Sequence, residues 1–93
     1  LRPLLGAPRT NLTIEQNQDN MTIRNTGQAA ALNVWIEDAR PVRSAGYVYF
    51  DDNYFSLLPG EGRTIAVAWD GVPEDERRLE VSAWNTNTIG VMA

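Results

Sequence analysis

The chain contains no cysteine, no histidine and no lysine. Without cysteine it forms no disulfide and offers no thiolate nucleophile or metal ligand. Without histidine it lacks the commonest general base, the usual ligand of transition metals and the relay residue of Ser-His-Asp hydrolases. These absences exclude the most familiar forms of nucleophilic and metal-dependent catalysis.

Positive charge is scarce and dispersed along the chain. All eight basic residues are arginine, only Arg77 and Arg78 are adjacent, and the net charge is -4. Nucleic acids and anionic membranes both attract clustered cations, so we predict neither as a partner. Long apolar runs are also missing, which predicts no transmembrane helix and no signal peptide. An export signal on a longer chain would leave no trace here, so cytoplasmic and secreted locations both stay open.

What the chain does contain fits one small domain. A chain of 93 residues buries about 60–65% of the surface that its unfolded form exposes. This supports a two-layer core and leaves little room for a deep catalytic cleft. We predict an extended lead-in over residues 1–10, a domain over residues 11–85 and a polar, frayed tail over residues 86–93. Because the first residue is Leu1 rather than methionine, we expect a longer parent chain.

The most informative stretch, residues 46–69, predicts two strands separated by an apolar crossover and a tight turn. Alternation of side chains predicts a strand that ends at Phe50 and another that begins at Gly62. Pro59-Gly60 fits the centre of a type II turn, because glycine tolerates the positive φ required there. The crossover between them is too apolar to be left in water. We expect it to seal one edge of a sheet or to dock on a neighbouring domain, through Tyr54, Phe55 and Leu57.

Further strands are predicted at residues 11–16, 21–24, 29–38 and 78–84. The third is ambiguous, because the alanines at its start favour a helix. Its alternation of Leu32, Val34 and Ile36 favours a strand with these three side chains in the core. Six or seven short strands, with at most one helical turn at residues 73–76, indicate an all-β, immunoglobulin-like antiparallel β-sandwich. An open barrel is the alternative, and periodicity does not separate the two.

Three motifs give the chain a resemblance to a known family. They are Asn25-Thr26-Gly27, the run from Asp52 to Glu61 that reads Asp-Asn-Tyr-Phe-Ser-Leu-Leu-Pro-Gly-Glu, and Val81-Ser82-Ala83-Trp84-Asn85. Together they resemble the C-terminal immunoglobulin-like domain of family-two glycoside hydrolases, in the branch of β-mannosidase and exo-β-glucosaminidase. Ala83 stands where that family often has glycine.

The resemblance implies a non-catalytic accessory domain at the end of a modular enzyme that cleaves sugars. In such enzymes the catalytic carboxylates belong to a barrel domain far upstream, and no position of this chain matches their motifs. The implied partners are the catalytic barrel and the other domains of the same chain. A structural role, packing on the catalytic module, is therefore the leading hypothesis.

A carbohydrate-binding module is the alternative hypothesis. Trp35, Tyr49 and Trp84 alternate with aliphatic side chains on predicted strands, so they are candidates for an exposed platform that stacks on sugars. Aromatic side chains are equally typical of contacts between domains, and we favour that use because it needs no special geometry. Trp69 shares a predicted face with Ile65 and Val67 and is expected in the core.

Carboxylates near the predicted turns offer two further possibilities. A glycosidase needs a pair of them on either side of a sugar, and the candidates are Glu37, Asp38, Asp51, Asp52 and Glu61. Residues 51–53 also offer consecutive oxygens to calcium, but that ion requires six to eight ligands. We expect Asp52 or Asn53 to cap the crossover by accepting backbone hydrogen bonds instead. The sequence thus predicts no catalytic residue, no metal and no cofactor in this domain.

Overall fold

A computed structural model describes residues 8–92 of the chain. The predicted lead-in therefore lies mostly outside the described residues, as does the last residue of the predicted tail. Within the described part, the strands are β1 (Leu12–Gln16), β2 (Asn20–Asn25), β3 (Ala31–Asp38), β4 (Tyr47–Phe50), β5 (Phe55–Leu57), β6 (Gly62–Asp70), β7 (Arg78–Ser82) and β8 (Ile89–Met92). A 3₁₀ turn at Glu74–Glu76 accounts for the helical turn predicted there.

The strands form two four-stranded sheets that pack face to face. Sheet one has the order β1-β2-β6-β4 and sheet two the order β5-β3-β7-β8. Every neighbouring pair is antiparallel. The prediction of an all-β antiparallel sandwich is confirmed, and the alternative of an open barrel is wrong. No helix among the described residues is long and apolar enough to cross a membrane.

Two strands lie where we predicted none. β5 lies inside the apolar crossover, where three residues are too few to show a two-residue period. β8 lies in the segment for which we predicted a frayed tail, so that expectation is wrong at Ile89–Met92. Ile89 and Val91 pair with β7 and pack against the core, which holds the segment in sheet two. The division of the chain at residues 10 and 85 stays a prediction.

The core lies between the sheets and draws on every strand but β4 and β8, whose apolar side chains pack against its margin. Its buried members are Leu12, Met21, Ile23, Ala31, Val34, Ile36, Phe55, Leu57, Ile65, Leu79, Val81 and Ala83. Trp69 packs against this cluster and is half-buried, at the margin rather than the centre. The core is thus built from the chain's own residues, as an independently folding domain requires.

A bulge in β3 corrects one predicted core position. Ala31 pairs with Leu57 and Val34 pairs with Phe55, so three steps along β3 match two along β5. The extra residue is accommodated at Asn33, whose φ is 52°. The inward alternation shifts by one residue at this point. Leu32, which we expected in the core, is therefore only half-buried, and Ala31 takes its place.

Candidate functional site

The three aromatic candidates for sugar binding do not share one surface. Tyr49 is 55% exposed on the outer face of sheet one. Trp35 is half-buried in β3 of sheet two, where it pairs with Ser82. Trp84 is 46% exposed and lies in the turn that follows β7, beyond the last residue of that strand. Tyr49 and Trp35 thus lie in different sheets, and Trp84 lies outside both.

The three candidates for domain docking are also divided. Phe55 and Leu57 are 7% and 0% exposed and belong to the core of this domain. Tyr54 is 69% exposed and has a positive φ of 58°. Of the three, only Tyr54 has an exposed side chain.

Asn53 caps the crossover, as expected, and it also continues the β3–β5 pairing. Its Oδ1 accepts hydrogen bonds from the backbone N–H groups of Ile36 (2.8 Å) and Tyr54 (3.1 Å). Its Nδ2 donates to the carbonyl oxygen of Ile36 at 2.9 Å. The side chain therefore binds both backbone groups of Ile36, in the manner of a paired strand residue.

Each of the five candidate catalytic carboxylates accepts a hydrogen bond from the domain itself. Asp51 Oδ1 accepts from the N–H of Ala66 at 2.8 Å, and Glu61 Oε1 accepts from the N–H of Leu58 at 2.9 Å. Asp52 accepts from Arg63 Nη1 at 2.9 Å. Glu37 accepts a hydrogen bond from Trp35, and Asp38 accepts one from Arg40. Among residues 8–92, no group of three acidic, histidine or cysteine side chains is arranged to hold a metal ion.

Asp38 and Arg40 form the most enclosed ion pair of the described residues. Arg40 Nε lies 3.0 Å from Asp38 Oδ1, and Arg40 Nη2 lies 2.8 Å from Asp38 Oδ2. The guanidinium also donates to the carbonyl oxygens of Ala45 and Gly46 and lies 5.7 Å from the ring centre of Trp69. The hydrogen bonds from Arg40 hold the pKa of Asp38 below its ordinary value. A glycosidase's general acid needs a raised pKa, the opposite shift.

Two buried asparagines are the important residues that our sequence analysis did not single out. Asn25 is 0% exposed. Its Oδ1 accepts from Thr10 Oγ1 (2.8 Å) and from the N–H of Gly27 (3.0 Å). Its Nδ2 donates to the carbonyl oxygens of Ala29 (2.7 Å) and Leu57 (3.0 Å). All four hydrogen-bonding positions of the amide are thus used inside the domain.

Asn85 makes a similar set of hydrogen bonds with backbone groups at the start of β3. It is 2% exposed, and its Oδ1 accepts from the N–H of Leu32 at 2.9 Å. Its Nδ2 donates to the carbonyl oxygens of Pro8 (2.8 Å) and Ala30 (2.7 Å). Its own carbonyl oxygen accepts from the N–H of Thr10 at 3.0 Å. Asn85 therefore ties residues 8–10 to the start of β3.

A signal for both asparagines was present in the sequence. Asn25 continues the alternation that points Met21 and Ile23 inward, so the pattern itself indicates a polar side chain in the core. Asn85 ends the motif Val81-Ser82-Ala83-Trp84-Asn85. Buried amides at such positions are expected to bond with backbone groups.

Gly27 is required for close approach rather than for its backbone angle. The glycines with positive φ in the described chain are Gly46, Gly60 and Gly71, and Gly27 is not among them. A Cβ on Gly27 would lie 2.0 Å from Thr10 Oγ1 and 2.8 Å from the N atom of Asn11. The turn at Gly60 does follow the prediction, since its φ is 80° and the N–H of Glu61 donates to the carbonyl oxygen of Leu58 at 2.9 Å.

Comparison with known proteins identifies the family. No curated protein and no solved structure matches the chain significantly. The family model for the Ig-fold domain of mannosidases matches residues 5–87, which is nearly the whole chain. The two antiparallel sheets described above are the fold that this family model specifies. The chain therefore belongs to the mannosidase Ig-fold domain family.

Proposed function

We propose that this chain is a non-catalytic accessory domain of a glycoside hydrolase that resembles β-mannosidase or exo-β-glucosaminidase. Its role is structural: it packs against the catalytic barrel or another domain of the same polypeptide. The observation that carries the proposal is the family match over residues 5–87. In the branch of enzymes that this chain resembles, the catalytic carboxylates belong to the barrel domain.

The use of the carboxylates supports a non-catalytic role. Hydrolysis of a glycosidic bond needs one carboxyl group poised to donate a proton and a second facing the sugar. The candidate carboxylates here accept hydrogen bonds from backbone N–H groups or from Arg40, Arg63 and Trp35. They stabilise turns and strand ends, which is how short acidic side chains act in structural loops.

Deletion of the domain from the parent enzyme tests the structural role. If the domain packs on the catalytic module, the shortened enzyme loses a buried interface and is expected to melt at a lower temperature than the intact enzyme. Its KM for an aryl β-mannoside is expected to stay within about twofold, because the active-site groups lie elsewhere. A shortened enzyme that melts at the temperature of the intact one would refute the structural role.

Carbohydrate binding is the second candidate function, and one observation favours it. Trp84 is 46% exposed in the turn that follows β7, and sugar rings can stack on an exposed aromatic side chain. Retention of the purified domain on mannan or chitosan tests it, with Trp35→Ala and Trp84→Ala expected to abolish retention. Tyr47→Ala is the matched control, because Tyr47 is exposed on the other sheet of the sandwich. A wild-type domain that no polysaccharide retains excludes this function.

A further inference from the structure

The outer face of sheet one carries an apolar patch formed by two tyrosines of β4 and two alanines of β6. Tyr47 and Tyr49 are 68% and 55% exposed, and their ring centres lie 6.5 Å apart. Ala66 and Ala68 are exposed on the adjacent strand β6, and Ala68 pairs directly with Tyr49. We call these four residues the tyrosine–alanine face. A shallow depression of about 430 Å³ lies against Tyr49 and the two alanines.

Carboxylates surround this face. Asp70 pairs with Tyr47 at one end, and Asp51 follows β4 at the other end, with its N–H donating to the carbonyl oxygen of Ala66. Asp19 borders the depression from the turn between β1 and β2. The ion pairs of the described residues involve Asp38 and Asp52 instead. The rim of the face therefore carries negative charge that these ion pairs leave uncompensated.

Arg24 of β2, which pairs with Gly62 in the same sheet, is held away from this face. Arg24 Nη1 donates to the carbonyl oxygen of Gly60 at 3.1 Å. Its guanidinium also lies against Gly62, close enough that a Cβ there would be 2.9 Å from Cζ. Gly62 and Asp70 begin and end the nine-residue strand β6, so Arg24 lies at the end far from Asp70.

We propose that the tyrosine–alanine face docks another domain of the same polypeptide, and that the docking surface of that domain presents arginine or lysine around a small apolar projection. The inference rests on the proposed function, since it names the surface through which the accessory domain packs. Tyrosine is enriched in such interfaces, and the small alanine side chains leave room for a side chain that projects from the other domain. The carboxylates on the rim favour cations opposite them, and cations also bind favourably to tyrosine rings.

A protein surface fits this face better than a sugar does. The rings of Tyr47 and Tyr49 are tilted by 42° to each other, so they offer no common plane for successive sugar rings. An interface between domains has no such requirement, because side chains of different shapes fill the space between tilted rings. The acidic rim would also favour a cationic polysaccharide, so the experiments below distinguish a polysaccharide from a protein domain.

Covalent footprinting of the intact parent enzyme and of this chain alone tests the proposal. Carbodiimide-driven labelling reports the carboxylates, and hydroxyl radicals report the tyrosines. We expect Tyr47 and Tyr49 to be labelled at least about fivefold more slowly in the parent, because an interface core excludes solvent. Asp51 and Asp70 on the rim are also expected to react more slowly, because cations of the other domain pair with them. Met92 and Asp75, exposed elsewhere on the domain, are the controls for the two reagents and are expected to react at equal rates in both samples.

A pair of variants gives a second readout. Ala68→Arg puts a bulky cation on the tyrosine–alanine face, and Thr13→Arg puts the same cation at the exposed far strand of the same sheet. In the parent enzyme, A68R is expected to restore the labelling of Tyr49 to the rate of the isolated chain, whereas T13R leaves it protected. If A68R leaves Tyr49 protected, or T13R exposes it equally, this face is not the interface.

The remaining outcomes separate this inference from the proposed function. Protection confined to other faces overturns the inference and leaves the accessory role intact. Equal labelling of the whole domain in both samples overturns both. Binding of chitosan oligosaccharides to the isolated chain, abolished by Tyr49→Ala, would assign the face to a polysaccharide and overturn the domain-docking proposal.

Discussion

At the scale of the residue, hydrogen bonds from a few buried side chains hold the loops of the sandwich. Asn25 and Asn85 bond with backbone groups on segments that are far apart in sequence, including residues 8–10, 29–32 and 57. A backbone N–H or carbonyl group left without a partner in a protein interior costs about 1–3 kcal/mol. The two amides therefore contribute to stability mainly by preventing that cost at the β3 bulge and the lead-in.

Replacing Asn85 by alanine is expected to lower the free energy of unfolding by about 2–4 kcal/mol, because it leaves the backbone groups of Leu32, Ala30 and Pro8 without their partner. Urea denaturation monitored by tryptophan fluorescence measures the change. Asn11→Ala, at an exposed asparagine, is the matched control and should stay within about 0.5 kcal/mol of wild type. Equal effects at both sites would show that the Asn85 network contributes nothing.

Gly27→Ala is expected to destabilise the domain by about 1–3 kcal/mol, because its Cβ would collide with Thr10 Oγ1. Gly90→Ala is the control, since a Cβ at Gly90 meets no atom within 4 Å. It should be neutral or slightly stabilising, through the reduced freedom of the unfolded chain. Thermal melting of the two variants measures the difference. A G27A variant that melts with wild type would contradict the close approach of Thr10.

At the scale of the element, alternation predicted the strands well where they are long and regular. β2 and β6 show a clean two-residue period, and the residues it points inward, Met21, Ile23 and Ile65, are buried. β5 was missed because three residues carry too little pattern. The bulge at Asn33 was missed because it depends on pairing between distant segments, which local periodicity does not contain.

The same limit applies to the candidate site. Alternation correctly placed Trp35 and Tyr49 on outward faces, but it does not say which sheet a strand joins. For that reason the sequence grouped these two residues, and the fold places them on opposite sides of the sandwich. Phe55 and Leu57 were predicted to dock on a neighbouring domain because the crossover is rich in apolar residues. Their burial follows from the pairing of β5 with β3, which the sequence did not reveal.

The loop between β3 and β4 gives a prediction about pH. The pKa of Asp38 lies below its ordinary value of 3.8 in the folded domain, because Arg40 donates hydrogen bonds to the carboxylate. Between the folded pKa and pH 3.8, the unfolded chain binds more protons than the folded domain. The contribution of Asp38 to stability is therefore present above pH 3.8 and is lost as the pH falls through the folded pKa.

We therefore expect the unfolding free energy of wild type to decrease more steeply in acid than that of Asp38→Asn. Urea titrations between neutral pH and strong acid measure the two slopes. Arg40→Gln removes the cause of the shift and should give the same shallower slope as D38N. Parallel slopes for wild type and both variants would contradict the assigned role of this ion pair.

At the scale of the whole molecule, the two outer faces differ in character. Sheet one presents the tyrosine–alanine face with its acidic rim, and sheet two presents Trp35, with the exposed Trp84 in the turn that follows β7. Between them lies a closed core made of the chain's own residues. An accessory domain of a modular enzyme needs this combination, a core that folds by itself and an outer surface that meets a neighbour.

The central claim is that this domain supports a sugar-cleaving enzyme without cleaving sugar itself. The most direct measurement is the turnover of an aryl β-mannoside by the isolated chain at high concentration, beside the parent enzyme under the same conditions. Hydrolysis by the parent, with the isolated chain no faster than the uncatalysed reaction, is the predicted result. Hydrolysis by the isolated chain, in proportion to its concentration and after removal of contaminating enzymes, would contradict the claim.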